Sequence, residues 1–396
     1  MNKLFVNLML LLMFFSMASC QTTTKIETKL FAEWCSEPFS SEGELTQRWE
    51  IDTPKNYEYS KIMATPNSWL IEDIIATESI QQKPIIGRRI SITPENGEIK
   101  PLPNIFTPGD KEFHMDLACL GTTDSIHVYA SNSFMLGGTG SCWDLSSNKI
   151  IWSNYVVDGF ANKFTIVGDS LIYIHENPSD ELKIFSGLVP ATGDILWSTK
   201  LTNEKIDWLS LNESIWVLPL NGTELLRVNS KDGSKTSINL ISIVDKLLGT
   251  IGHKIFLLTR SGSLILLDTI KMEQSELTIP DFNVDESSNV LFNKYLFAMS
   301  RSDKSSQYEI VSFDQIKQTF KKTQVFNLPS ETLVSAINSS LIIEDQTQLR
   351  GVDPETLQTL WWIDKKDLGE NAHVAWLDWR GVCVISDTKI MCFGPK

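Results

Sequence analysis

The sequence predicts an all-β fold, built from a repeated unit and closed end to end, on three observations. After the first twenty residues no stretch places apolar residues at helical spacing, which disfavours a parallel sheet covered by helices. Apolar runs are instead separated by short turns of Gly, Asn, Asp and Ser, and a degenerate motif recurs about every 43 residues, the length of one four-stranded propeller blade. Finally, the two ends of the chain each hold part of one unit. The predicted architecture is an eight-bladed β-propeller whose ring is closed by an N-terminal strand joining the C-terminal blade.

The elements follow in chain order. Met1-Asn2-Lys3 gives a cationic start and Leu4 to Phe15 an apolar run broken only by Asn7. That run is too short to span about 30 Å of hydrocarbon and has the length of a signal-peptide core. Ser16-Met17-Ala18-Ser19-Cys20 resembles the bacterial lipobox, with Met17 in place of the usual Leu. The reading is a lipoprotein signal peptide over 1–19, a lipidated tether over 20–44 beginning at the anchor Cys20, and the propeller over 45–396. Gln21 follows the cysteine where Asp would retain a bacterial lipoprotein at the inner membrane, so the expected location is the periplasmic side of the outer membrane. Contact with the bilayer is expected through the acyl chains alone.

The clearest repeat is Pro190-Ala191-Thr192-Gly193-Asp194-Ile195-Leu196-Trp197, a turn with Trp four residues after its Gly. The same interval places Asn148 with Trp152 after Asp144, and Leu357 with Trp361 after Asp353. Weaker copies fall at Gly97, Gly233, Met272 and Gln318. Each interval divides into four strands by period and turn chemistry. The fourth reads Ile206 to Leu211, Ser214 to Leu218, Glu224 to Asn229 and Thr236 to Leu240. In the fifth the outer strand is expected at Glu276 to Ile279. After Leu360 to Ile363 the chain supplies only three more strands, near His373 to Asp378, Gly381 to Ser386 and Lys389 to Phe393. The absent fourth is Thr46 to Ile51, which carries Trp49. Closing the ring in this way removes an unpaired edge, a template for aggregation. The Trp residues are expected between neighbouring blades and the Asp and Gly residues in tight turns, all structural.

Composition and motifs exclude several functions. The chain carries 35 Lys and Arg against 49 Asp and Glu, a net charge of -14, which opposes sequence-independent binding to nucleic acid or anionic lipid headgroups. The five His are scattered, there is no Cys-x-x-Cys, and neither a nucleophile motif nor a Walker-type loop is present. No catalytic residue, metal ligand or cofactor is assigned. Gly137-Gly138-Thr139-Gly140 runs into a strand instead of a helix and reads as a bulge. Cys383 and Cys392 lie symmetrically about the Asp387-Thr388 turn, opposite one another on paired strands; a disulfide and two buried thiols are both open to them. Trp376-Leu377-Asp378-Trp379 either presents aromatics at the axial mouth or packs between blades.

The Thr-Gly turn with its trailing Trp resembles the repeat of the PQQ-like, or quinoprotein-type, β-propellers. The lipobox, the eight units and the end-to-end closure are together similar to the propeller lipoproteins of the outer-membrane β-barrel assembly machinery. That resemblance covers about residues 41–394 and implies a non-enzymatic scaffold leaning on the barrel insertase. In that family a long loop after the third blade contacts the insertase, whereas here Leu201 passes through Thr202-Asn203-Glu204-Lys205 into Ile206, so those contacts do not carry over. In the next link the resemblance places an acidic partner contact at Asp245. Two readings compete with this one. The chain is a cell-envelope propeller that binds another protein or a ligand, or it is a PQQ-dependent dehydrogenase. The dehydrogenases carry adjacent cysteines and long inserted loops that this sequence lacks.

Overall fold

The computed structural model describes residues 29–30, 39–52, 57–64, 68–75, 85–101, 115–121, 126–134, 137–144, 147, 149–157, 160–177, 182–201, 206–219, 221–277, 290–292, 295–301, 305–314, 317, 319–329, 332–338 and 340–396. The signal peptide, Cys20, Cys35, the Thr202 to Lys205 link and the turn positions Asn148 and Gln318 lie outside them.

The described residues are all β apart from one 3-10 turn at Lys365–Asp367. They form eight sheets, numbered here in chain order by their innermost strands Tyr57–Ala64, Met115–Gly121, Phe160–Val167, Asp207–Leu211, Val244–Ile251, Val290–Phe292, Leu333–Ile337 and His373–Asp378, with four consecutive antiparallel strands in each of the first seven. Sheet 3 runs Phe160–Val167, Ser170–Asn177, Leu182–Leu188, Ile195–Leu201. Sheet 4 runs Asp207–Leu211, Ser214–Leu218, Glu224–Asn229, Lys235–Asn239. In sheet 5 the outer strand is Glu273–Leu277, three residues earlier than the sequence reading. The reason is local: Met272 takes φ 59° and ends the turn there, and the Gln274 amide ties the new strand to the Asn239 carbonyl of sheet 4.

Sheet 8 is the exception in connectivity. Its strands His373–Asp378, Gly381–Ile385 and Lys389–Gly394 are completed on the outside by Thr46–Asp52, paired antiparallel with Lys389–Gly394. Strands from the N-terminal and C-terminal parts of the described fold therefore share one sheet. The tether adds two further pairings that no strand period or turn signal predicts. Lys29–Leu30 joins the innermost strand of sheet 2, Met115–Gly121. Gly43–Glu44 lies parallel to Thr359–Asp364, the outermost strand of sheet 7.

The core lies between successive sheets, because second and third strands are apolar on both faces, as in the fully buried Ser214–Leu218, Lys254–Thr259 and Leu264–Asp268. Ile215 and Val217 face sheet 3 with Ile172, Ile174 and Phe185, while Trp216 and Leu218 face sheet 5 with Ile255 and Leu257. Phe256 of sheet 5 meets Phe313 of sheet 6 edge-on at 4.9 Å, and Val374 and Val382 of sheet 8 pack with Ile342 and Trp361 of sheet 7. Each fully buried large aliphatic or aromatic side chain stabilises by about 1.5–3 kcal/mol relative to exposure. Seams between sheets, not pairs of packed layers, carry that stabilisation.

Candidate functional site at the closing seam

Every described repeat turn has one geometry. The residue at the turn position takes a left-handed backbone, with φ 73° at Gly97, 76° at Gly193, 70° at Gly233, 59° at Met272 and 56° at Leu357. Its N–H donates to the carbonyl four residues back, over 2.8–2.9 Å in all five. Where that earlier residue is Asp or Asn, its side chain accepts the next free N–H groups: Asp353 from Glu355 and Thr356, Asp268 from Ile270 and Lys271, Asn229 from Lys231, Asp144 from Ser147. These are Asx turns, and they occupy the carboxylates.

The Trp four residues after the turn reaches the next sheet. Trp152 Nε1 donates to the Pro190 carbonyl at 2.8 Å, Trp197 Nε1 to Ser230 at 3.1 Å, and Trp49 Nε1 to Pro94 at 2.7 Å. Each acceptor lies in the turn of the following sheet, and for Trp49 of sheet 8 that sheet is the first. The indole also covers the turn glycine of the neighbour. A Cβ at Gly233 would stand 2.4 Å from the Trp197 ring, and one at Gly97 2.9 Å from Trp49. Trp361 differs: the hairpin beside it is only Asp387-Thr388, and Phe39 of the tether stands edge-on to its ring instead at 5.8 Å.

At the seam of sheets 8 and 1 a polar cluster is added to this apolar pattern. Asp378 ends the innermost strand of sheet 8 and is fully buried, as is Trp69, the first residue of the second strand of sheet 1. One carboxylate oxygen of Asp378 accepts from Trp69 Nε1 at 3.0 Å, Trp376 Nε1 at 3.1 Å and Arg380 Nη2 at 2.6 Å. The other accepts from the Arg380 backbone N–H at 2.9 Å and its Nε at 3.2 Å. Burial alone would raise the Asp378 pKa, but the hydrogen bond and charge of Arg380 and the Trp69 indole outweigh it and hold the carboxyl below its ordinary value. Arg48, from the N-terminal strand, donates to the Arg380 carbonyl at 2.6 Å. The Arg380 guanidinium lies 5.9 Å from the Trp69 ring centre and 5.8 Å from that of Trp379, a residue 55% exposed.

A carboxylate with five donors around it has no lone pair free to take a proton from a substrate, so the cluster is suited to fixing position. Its exposed members are Arg48 and Trp379, the latter with its ring beside the buried Arg380 guanidinium. Trp376 is half-buried and points to Asp378, so of the aromatics in the 376–379 stretch Trp379 is the exposed one. Sequence reasoning missed Arg380, Trp69 and Arg48. The available signal was Asp378 and Arg380 two residues apart between apolar strands, a spacing at which both charges enter the sheet together.

The remaining assigned positions are placed as follows. Asp245 is exposed and accepts from Arg260 Nε at 3.1 Å. Cys383 and Cys392 are register partners on adjacent strands, and both are buried free thiols. Burial raises the Cys383 thiol well above its ordinary value and pushes Cys392 up to about 12, so neither is a nucleophile. His253 meets Asp268 at 3.2 Å in a turn. Among the described residues no group of three His, Cys, Asp or Glu side chains is arranged to hold a metal ion.

No protein-family model and no curated protein matches the chain. Solved structures do. The Dos1 propeller is similar at 11% identity over 88% of this chain and 95% of its own, with a TM-score of 0.55. The C-terminal WD40 domain of Sif2 is similar at 10% identity over 90% and 99%, with a TM-score of 0.53. BamB from Moraxella catarrhalis is similar at 13% identity over 88% and 99%, with a TM-score of 0.49. Together with the sheet order and the seams, the first two likenesses show that the chain has a β-propeller fold.

Proposed function

We propose that the chain is a non-enzymatic scaffold of the cell envelope, an eight-bladed ring anchored by Cys20 to the periplasmic side of the outer membrane and presenting rigid surfaces to an envelope protein. In its sharper form the reading makes that partner the outer-membrane β-barrel insertase. The observation that carries the reading is the closing seam. The strand that follows the tether is built into the last sheet, and Arg48 on it reaches the Asp378–Arg380 pair, so the anchored end holds a body whose two chain ends are locked together. Eight sheets in chain order, with the first strand of the ring completing the last sheet, support the eight-bladed count. The lipobox supports the location, and the repeat resemblance supports the barrel-assembly role. The turn carboxylates and Asp378 are committed to hydrogen bonds within the fold, which favours a scaffold over an enzyme.

A second reading, an envelope propeller with a different protein or ligand, is favoured by the exposed Trp379 ring. Large aromatics on rigid supports are over-represented among binding hot spots. In-cell cross-linking of the acylated protein, recovery from outer membranes and identification of partners by mass spectrometry separates the two. Recovery of the barrel insertase is the expected result, and recovery of other envelope proteins alone sinks the barrel-assembly role. Added PQQ is expected to leave the melting temperature and visible spectrum unchanged, and a shift in both would restore the dehydrogenase reading.

A further inference from the structure

Sheets 3 and 7 have the same outer edge. In sheet 3, Gly187 pairs with Trp197 and the register then slips by one residue so that Leu188 meets Ile195. In sheet 7, Gly351 pairs with Trp361 and the same slip brings Val352 against Thr359. Each glycine lies under its indole so closely that a Cβ would fall 2.2 Å from the ring. The two edges differ in what covers them. Along sheet 7 the chain lays its own segment: Gly43 and Glu44 run parallel beside Trp361 and Trp362, the Leu45 N–H donates to the Trp362 carbonyl at 3.0 Å, and the Glu44 carboxylate meets Lys396 at 3.3 Å. Phe39 and Leu45 are buried there, and Trp361 is left 1% exposed.

Along sheet 3 the outer strand Ile195–Leu201 is an edge with no strand beside it among the described residues. Ile195 is 47% and Leu196 64% exposed, and Ile150, at the same place on the outer strand of sheet 2, is 47% exposed. A free edge with branched apolar side chains is a template for another strand. Its charge is also specific. In a chain of net charge -14 the outer strands 149–157 and 195–201 contain Lys149 and Lys200 and no Asp or Glu. Lys235 of sheet 4 leans onto the same edge, donating to the Lys200 carbonyl at 3.4 Å. The nearby Asp194 is tied to Thr192.

We propose that the outer edge of sheet 3 is a docking site for an extended segment of another polypeptide, carrying an apolar anchor and a carboxylate in the manner of Phe39 and Glu44, which adds as a fifth, parallel strand. The carbonyl matching that of Trp362 is that of Ser198. Main-chain hydrogen bonds supply affinity in such strand addition, and the apolar and charged neighbours supply selection. The inference deepens the scaffold reading by naming a surface and the chemistry of its partner.

The test uses the full chain and a labelled synthetic peptide copying residues 37–46. Saturable binding is expected, with slowed amide hydrogen exchange in residues 195–201. Leu196→Lys, at an exposed site that leaves the melting temperature unchanged, should weaken binding at least tenfold, and Gln at the Glu44 position of the peptide severalfold. Ile241→Lys, exposed elsewhere, should leave it intact. Absence of protection over 195–201, binding that survives Leu196→Lys, or protection confined to 359–364 through exchange with the chain's own Gly43–Glu44 would each overturn the site. A photo-cross-linker at position 196 in cells keeps the two readings apart. A recovered partner that never cross-links from 196 removes this site and leaves the scaffold, whereas peptide binding at 195–201 with no envelope partner recovered leaves the site and removes the scaffold.

Discussion

At the seam between sheets 3 and 4, Trp197 donates to the Ser230 carbonyl and covers Gly233; at the seam between sheets 8 and 1, Trp49 donates to the Pro94 carbonyl and covers Gly97. The first seam carries nothing more, and all eight of its strands follow one another in the chain, with five residues between the two sheets. At the second, Thr46–Asp52 also leads directly into sheet 1, but the other three strands of sheet 8 come more than three hundred residues after Thr46–Asp52, and it is through them that the buried Asp378–Arg380 pair is added, with indole N–H groups from both sheets. An apolar seam tolerates a slip of register, since one branched side chain replaces another. A buried carboxylate that needs Trp69, Trp376 and Arg380 together does not. The comparison teaches that the repeat supplies cohesion and the polar cluster at the seam of sheets 8 and 1 supplies selectivity.

The largest effect is expected where that comparison is broken most directly. Asp378→Ala leaves the Arg380 guanidinium buried without its partner, a loss of roughly 3–5 kcal/mol for a pair of this kind. Thermal unfolding should show a large fall in midpoint. Replacing both residues by apolar ones of similar volume should cost less than Asp378→Ala alone, and a double replacement as damaging as the single one would refute the account of the pair.

Next comes Gly233→Ala. It places a Cβ 2.4 Å from the Trp197 ring and forces a side chain into a left-handed backbone, together about 2–3 kcal/mol. In a Trp197→Ala background the steric part vanishes and the cost should drop to the backbone part, about 1 kcal/mol. A double-mutant cycle on thermal midpoints reads that coupling directly. Undiminished cost in the Trp197→Ala background would place the strain elsewhere.

Much of this was legible in the sequence. The Thr93 to Gly97, Pro190 to Trp197 and Asp353 to Trp361 segments announce the turns, and the bounds of Ser214–Leu218, Glu224–Asn229 and His373–Asp378 agree with the strands found. Turn chemistry and strand period are local, so the sequence carries them. The polar cluster was hidden because its members come from residues 48, 69 and 376–380, which only closure of the chain brings together. The edge strand at Gly43–Glu44 was hidden for a related reason: two residues have no period, and their pairing depends on Phe39 and Leu45 filling the space beside Trp361.

A smaller effect separates Glu344 and Asp378, two of the buried carboxylates, by pH. Glu344, in the second strand of sheet 7, accepts the Val374 N–H at 2.9 Å, and its pKa is raised, first by burial, with the Val374 N–H and the charges of Lys365 and His373 opposing. The folded protein therefore keeps this proton to higher pH than the unfolded chain, and its contribution to stability fades as pH rises from the unfolded value of about 4.3 through the folded one. Asp378 behaves oppositely: its contribution is present above about 3.9 and is lost as pH falls through the lowered folded value. Glu344→Gln keeps the acceptor and removes the desolvated charge, so a gain of about 1 kcal/mol at pH 7 is expected. It should shrink toward pH 4, while the penalty of Asp378→Asn shrinks only below pH 4. Melting curves across pH 3 to 8 distinguish the two, and parallel profiles would contradict the assignment.

The smallest effect tests why the turns carry glycine at all. Gly193 follows Trp152 of the preceding sheet, Gly233 follows Trp197 and Gly97 follows Trp49; Met272 follows Ser237, and Leu357 follows Lys322, each counted four residues after the preceding turn position. All five turn residues take the same left-handed backbone, so backbone conformation alone does not select glycine. At Gly97 and Gly233 the indole does, by occupying the space a Cβ would need. At Met272, with no Trp opposite and the side chain 38% exposed, the left-handed conformation remains as a cost with little packing in return. Met272→Gly should therefore raise stability slightly, by up to about 1 kcal/mol. Leu357 packs against the core between sheets 6 and 7, so Leu357→Gly should lose that contact and gain nothing net. If both substitutions stabilised equally, backbone strain alone would govern the turns and the pairing of Trp with the next sheet's Gly would be coincidence; a gain at 272 and a loss at 357 makes the indole the reason for the glycine.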